Sequence, residues 1–452
     1  MMRNFHKHRR QRLPLALPIG AFCLSTLLFA ATQWRTIPRR SSTPALVNRL
    51  NHLLGQLAQF PVSHEVSALP YDVPGAVRPW LTTEKHMLLE LIQADLKRQP
   101  SAHAGAILKA FRLQIAKATS GVPEPKCSVE RACGYYGKPL TLYINRPKYH
   151  HNLFVLITGI DLLCGQDESL YLFRRQASGG WRLLLADAVN GYKPINRARE
   201  NLKYAISPTM PGRNWFLIVA ASPPWCTSLW SSLNLQVFEP NAAKTTLTLV
   251  ESQNRGYYRG DDYRIEATRN GFALAYFTAQ DLDSNLFVRI GLAVYRRQCS
   301  NGTQQHCSFV RLRYYSTGPR GFLSAWADRP WARVKTWNAT PLPSLRQIHR
   351  QMKILATAKS PTQPSLDRFR KCRKTNPGWQ DWQVRLSYSG DTGPPIWARY
   401  FRIRQTGPGQ FAIDGLNSRP FPECTAKVPH GSAPQIRRPL PDLMPILRAA
   451  RR

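Results

Sequence analysis

Apolar positions along the N-terminal quarter recur at helical spacing. TEKHMLLELIQADLKRQ places Leu88, Leu91, Ile92 and Leu96 on one face, with Glu84 in its first turn, where a carboxylate suits the helix dipole. After the interruption at Pro100, SAHAGAILKAFRLQIAKATSG places Ala104, Ile107, Leu108, Phe111 and Ile115 on one face. Ser101 reads as its N-cap and Gly121 as its stop. The pair predicts a helical hairpin over 83–121, packed on the domain that follows. Residues 35–82, rich in Pro, Ser and Arg, read as a loosely packed arm with one short helical pattern, PALVNRLNHLLGQLAQF.

From about residue 135 the period changes. LTLYIN, NLFVLITGI, SLYLFRR, WRLLLADAV, NWFLIVAAS, LNLQVFE, KTTLTLVES, YRIEAT, GFALAYFT, LFVRIGLAVYRR and FVRLRYYS are short, β-branched or aromatic, and punctuated by Gly, Asn, Asp or Pro. No β-α alternation appears, which argues against a doubly wound fold, and an antiparallel meander over 122–338 is expected. A sandwich, a barrel or a propeller-like array would each fit. LPSLRQIHRQMKILATAKS predicts a helical linker over 339–365. WQVRLSY, WARYFRIRQ and FAIDGL predict a small β domain over 366–428, and residues 429–452 read as a basic, flexible tail. The fold class is therefore mainly β with a helical N-terminal hairpin (α+β), plus a small C-terminal β unit.

The first 34 residues add a location. A basic, acid-free stretch, MMRNFHKHRRQR, precedes the 22 uncharged residues 13–34, LPLALPIGAFCLSTLLFAATQW. That is the layout of an export signal or an N-terminal membrane anchor. The expectation is an exported chain, periplasmic or secreted, cleaved after this segment or held by it.

Export changes the meaning of the cysteines. Outside the signal stand Cys127, Cys133, Cys164, Cys226, Cys299, Cys307, Cys372 and Cys424. An even set in an exported protein reads as disulfides. Cys299 and Cys307 bracket a hairpin turn containing Asn301-Gly302, and Cys127 and Cys133 bracket a small loop. Pairing the rest in order gives Cys164–Cys226 and Cys372–Cys424. Cys226 lies in SPPWCTSLWSS, but no catalytic-cysteine signature accompanies it, so the bridge is the better reading.

Charge raises the question of a partner. Lys plus Arg number 63 against 26 acids, a net +37. Residues 1–32 hold five of those cations, so the excess belongs to the rest of the chain. In YLFRR, VYRRQ, VRLRYY and WARYFRIR, strand alternation puts Arg on one face and aromatics on the other. Such a face suits an anionic envelope component, either lipid head groups or a cell-wall polymer. Nucleic acid is disfavoured by export and by the lack of a recognition motif.

Candidate chemistry is sparse. GxSxG, SxxK and HExxH are absent. The best carboxylate cluster is Asp261, Asp262, Asp281 and Asp283, which reads first as polar turns. Its sharper readings are a cation site, from the partial D-x-D-x-N pattern at 281–285, or a glycosidase-like pair. His150-His151 lacks further ligands nearby. No cofactor and no metal are expected. The function expected is a non-catalytic, disulfide-stabilised envelope or anionic-ligand binding protein. The alternative is a secreted hydrolase of a polysaccharide or phosphoester using the acids near 261–283.

Overall fold

The computed structural model describes residues 43–63, 73–99, 103–124, 133–162, 165–189, 191–192, 198–210, 214–224, 230–258, 262–278, 289–299, 307–312, 315–316, 318–339, 343–356, 363–372, 380–389, 395–424, 426–427 and 442–449. The chain is mainly β, with helices at its start, as the periodicity predicts.

Three helices form the first layer: α1 (Thr43–Leu57), α2 (Val77–Arg98) and α3 (Ala104–Thr119). The expected arm is not loose. Leu50, Leu54 and Leu57 of α1 are fully buried, and Asn51 ties α1 to the end of α3 by donating to the Ala118 carbonyl at 2.7 Å. Helix α2 begins at Val77, before the expected start at 83, because Pro79 falls in the first turn where its missing N–H costs nothing. Glu84 therefore sits two turns in and is fully buried, not in the first turn beside the dipole. The N-cap of α3 is His103, and Gly121 follows its end at φ 76°, the left-handed stop expected of it.

A short ribbon pairs β1 (Pro61–Ser63) with β2 (Cys133–Tyr135). Three meander sheets follow, each with neighbours in sequence paired antiparallel. The first holds β3 (Pro139–Asn145), β4 (Leu153–Leu162), β5 (Gly165–Arg175) and β6 (Trp181–Asp187). The second holds β7 (Glu200–Ile206), β8 (Leu217–Ser222), β9 (Trp230–Pro240) and β10 (Leu247–Tyr258). The third holds β11 (Tyr263–Thr268), β12 (Gly271–Thr278), β13 (Arg289–Cys299) and β14 (Cys307–Arg311).

These sheets stack face to face. Phe154, Leu156, Tyr171 and Phe173 turn towards the helices. Leu153, Val155, Leu170 and Leu172 turn towards Leu217 and Val219 of the second sheet. Phe216, Ile218 and Ala220 then meet Phe272, Leu274 and Tyr276 of the third. Alternate residues thus serve two different cores, which is why these strands read as nearly continuous apolar runs. Among the described residues each sheet stays open rather than closing into a barrel, and consecutive meanders stack as propeller blades do.

The fourth sheet runs in the order β18 (Gln410–Asn417), β17 (Trp397–Gly407), β16 (Trp382–Ser389), β15 (Gln363–Lys371) and β19 (Ala426–Lys427). Its apolar face packs on α4 (Pro319–Asp328), the short α5 (Trp331–Val334) and α6 (Pro343–Ala356). The expected linker 339–365 is therefore part of this unit: Leu345, Ile348 and Met352 of α6 are in its core. The expected tail also contributes. Helix α7 (Met444–Ala449) places Ile446 and Leu447 against Ala273, Ala275 and Val294 of the third sheet. The β17–β18 turn reaches the same place, where Ser316 N–H donates to the Gly409 carbonyl at 2.7 Å.

Among the described residues no helix is long and apolar enough to cross a membrane. The run 13–34 lies outside the described residues.

Candidate functional site

The connections β4–β5, β6–β7, β8–β9, β10–β11 and β12–β13 all leave the sheet stack at one end, as the antiparallel registers require. Asp262 is at this end. It is exposed, ion-paired with Lys203, and accepts from the Tyr263 N–H at 2.8 Å. Asp261, Asp281 and Asp283 lie outside the described residues. So do Cys127, Cys164 and Cys226, while Cys133 is described through its backbone pairing with Ser63. Two of the expected bridges are present. Cys299–Cys307 spans a directly paired position of β13 and β14, and Cys372–Cys424 joins the end of β15 to the segment leading into the adjacent edge strand β19.

The same end contains a buried charge network that links the helices to the first two sheets. Lys85 is 1 % exposed. It donates to Asp167 and, at 2.9 Å, to the Val189 carbonyl, and it lies 4.8 Å from the centre of the Tyr192 ring. Asp167 also accepts from the Tyr192 hydroxyl at 2.6 Å and from the Arg199 backbone N–H at 2.9 Å. Arg199 in turn pairs with Asp187 at 2.7 Å and reaches Gln236 of β9 at 3.2 Å. Burial lowers the Lys85 pKa, and Asp167 opposes that shift. Strand alternation builds the cluster: Asp167 points to the helical side with Tyr171 and Phe173, and Glu168 points to the second sheet, where it accepts from Leu202 N–H.

A signal for this network is present in the sequence. Lys85 continues the stripe Leu81, Leu88, Ile92, and Glu84 continues Val77, Leu81, Leu88, Leu91. A charge on an apolar helical stripe marks either a partner across the core or a shifted pKa.

Glu84 shows the second outcome. Its carboxyl oxygens are buried without a hydrogen-bond partner among the described residues. Its oxygen lies against Gly137, where φ is +84° and a Cβ would collide with it and with Leu57. Burial holds its pKa well above the usual value, against the pull of Lys85. Burial also raises Asp161 to about 7, against Lys138. Glu168 is raised to about 7 by burial, with Leu202 N–H opposing and Glu200 adding.

Because the folded pKa of Glu84 exceeds its unfolded value, the native state retains the proton as pH rises. The stability this gives is complete below the unfolded pKa and is lost as pH climbs to the folded one. Glu84→Gln is therefore expected to match the parent at pH 4 and to exceed it at pH 8, the gap growing by about 1.4 kcal/mol for each pH unit between the unfolded and folded pKa. Urea unfolding at both pH values measures this; an equal difference at pH 4 and pH 8 would refute it. Asp161 and Glu168 titrate in both proteins and cancel.

A second cluster covers the outer face of the fourth sheet. Phe401 and Ile403 of β17 enter the core, and Arg402 and Arg404 face away from it, the separation expected of WARYFRIR. Register places Arg385 between Asp367 and Tyr400, and Gln383 between Arg370 and Arg402. A bulge in β18 puts Asp414 between two arginines, 3.0 Å from Arg402 and 2.8 Å from Arg404. Arg402 also pairs with Glu423 at 2.7 Å, and Arg385 is bidentate on Asp367. A bulge in β15 gives Arg368 a φ of 49°, and its guanidinium reaches the Tyr400 hydroxyl at 3.3 Å. On this face the arginines outnumber the carboxylates. Arg402 Nε, Arg404 Nε and the amide nitrogen of fully buried Gln383 are donors with no hydrogen-bond partner among the described residues.

His150 is a core residue. It is buried, meets the Ser207 carbonyl at 2.8 Å through Nε2, and packs on Trp215 at 5.5 Å. His151 beside it is exposed. Among the described residues no group of three His, Cys, Asp or Glu is placed to hold a metal ion. No protein-family model matches the chain, and none of the curated proteins does.

Proposed function

We propose that this is an exported, non-catalytic envelope protein that binds an anionic polymer through the arginine face of the fourth sheet. The observation that carries the reading is the excess of guanidinium groups over carboxylates on this face, where Arg368 is exposed and Arg370 half-buried. Guanidinium is the side chain best suited to bidentate contact with phosphate or carboxylate groups. The net charge of +37 supports long-range attraction to such a polymer. The two disulfides fit an oxidising compartment, in line with the export signal read from residues 1–34. Among the described residues no observation favours the hydrolase alternative: Asp262 is engaged with Lys203, and Asp261, Asp281 and Asp283 lie outside them.

Arg368 is exposed and Arg370 half-buried, and neither contributes an apolar contact to the core. The Arg368→Ala/Arg370→Ala variant is therefore expected to fold normally and to bind polyphosphate and polygalacturonate about tenfold more weakly, the equivalent of about 1.4 kcal/mol. Binding by the parent is expected to weaken as salt rises from 50 to 300 mM, as screening demands. Titration calorimetry of parent and variant tests both. Salt-independent binding, or equal binding by the variant, would overturn the reading.

A further inference from the structure

A cleft of about 260 Å³ lies between α3 and the edge strand β3. It is lined by Leu88, Phe111, Ile115, Leu140 and Leu142, together with Thr141 and Thr158. Arg112 is the one charged residue among those lining it. Leu140, one of the lining residues, stands exposed at 52 %. The edge strand that bears Leu140 has a bulge there, between Pro139 and Thr141, which takes this residue out of the regular ladder.

We infer that this cleft takes one acyl chain of an anionic phospholipid, with Arg112 at the phosphate. The apolar side chains in the lining, Leu88, Phe111, Ile115, Leu140 and Leu142, suit part of a hydrocarbon chain. The charge is complementary. The lining carries a guanidinium and no acid, and the exposed Lys109 and Lys117 lie along the same helix. Arg112 is exposed, and its hydrogen bond to the Leu142 carbonyl is long, 3.4 Å, so the guanidinium is available to an anion at the mouth.

Position supports the same occupant. Helix α1 is tied to the end of α3 through Asn51. Only residues 35–42 separate α1 from the uncharged run 13–34, a span of roughly 30 Å at most. If that run is retained in a bilayer, the cleft is held within reach of the lipid surface. This last point rests on the export reading; the cleft's chemistry does not, and neither depends on the arginine face.

The test uses the full chain and vesicles of phosphatidylglycerol or of phosphatidylcholine, each carrying a trace of a chain-labelled lipid of the same class. Lipid that stays with the protein after the vesicles are removed is measured. The parent is expected to retain phosphatidylglycerol at least tenfold better than phosphatidylcholine. Arg112→Glu and Leu140→Asp alter exposed positions, so both should keep the parent's unfolding midpoint, and each should lose at least nine-tenths of the retained lipid. Equal retention of the two lipids by the parent overturns the inference. So does retention by both variants at the parental level. In that second case anionic vesicles are held by surface charge alone, and the arginine-face reading stands or falls separately on Arg368→Ala/Arg370→Ala.

Discussion

Lys85→Met is expected to destabilise the protein by about 3–5 kcal/mol, among the largest losses available from a single substitution. The methionine fills nearly the same volume, so the loss comes from electrostatics rather than from a cavity. Asp167 would keep the Tyr192 hydroxyl and the Arg199 N–H, but it would face them without its cation in a site where side-chain exposure is zero. The Val189 carbonyl would also lose its donor. Asp167→Leu alone should be comparably harmful, because it strands the Lys85 ammonium, the Tyr192 hydroxyl and the Arg199 amide together. The double variant Lys85→Met/Asp167→Leu removes both charges and should recover part of the loss. Recovery would be incomplete, since the last two donors remain without an acceptor. Urea unfolding of the four proteins closes the cycle, and the pair is expected to show a coupling of more than about 1 kcal/mol. Additive losses would mean that Lys85 and Asp167 act independently, which the contact between them does not allow.

This network shows where sequence reading reaches its limit. Most strands of the four sheets were legible because each is a short apolar or alternating run between turn residues, but β7, β15 and β19 were not among them. Their stacking was not. A strand such as β4, buried along its whole length, carries two apolar faces, and the pattern cannot say what lies against each. The helical character of residues 43–57 was legible from leucine spacing, but not its burial, which depends on α2 and α3 as partners. Glu84 looked like a dipole partner because the start of α2 was placed at 83; moving the start to Val77 turns the same residue into the core. Asp167 stands in GQDESLY with no periodic mark at all, and only β5 pairing with β4 decides that it points at the helices. The arginine face was legible in outline from WARYFRIR. The bulges that re-aim Arg368 and Asp414 were not, since a bulge adds one residue without a sequence signature. The local bridge Cys299–Cys307 and the longer Cys372–Cys424 followed from order and spacing, because the chain between each pair returns to its start.

Removing the Cys372–Cys424 bridge is expected to cost roughly 4 kcal/mol in the chain-entropy model. The loop it closes has a sequence separation of 52 and contains β16, β17 and β18 entire, so the unfolded chain gains freedom over the whole sheet. The native side of the balance adds to this. Both sulfurs are buried, with Cys424 fully so and Cys372 at 5 %. The bridge anchors the segment that crosses the polar face, where Phe421 N–H donates to Gln383 at 2.6 Å and Glu423 holds Arg402. It also secures β19, whose pairing with β15 is confined to Arg370 and Lys371. Loss of the bridge should therefore loosen the arginine face before the sheet itself opens. The Cys372→Ala/Cys424→Ala variant is the suitable probe, since alanine leaves no buried thiol. By the same model the Cys299–Cys307 bridge, with a separation of 8, contributes less, roughly 2.5 kcal/mol. The ordering is the sharper part of the expectation. Guanidinium unfolding should show Cys372→Ala/Cys424→Ala as the weaker of the two alanine pairs, and limited proteolysis should cut it first between residues 418 and 427. If the Cys299→Ala/Cys307→Ala variant proves the less stable, loop length does not govern these bridges, and strain relief or local packing at the hairpin must outweigh the entropy of the longer loop.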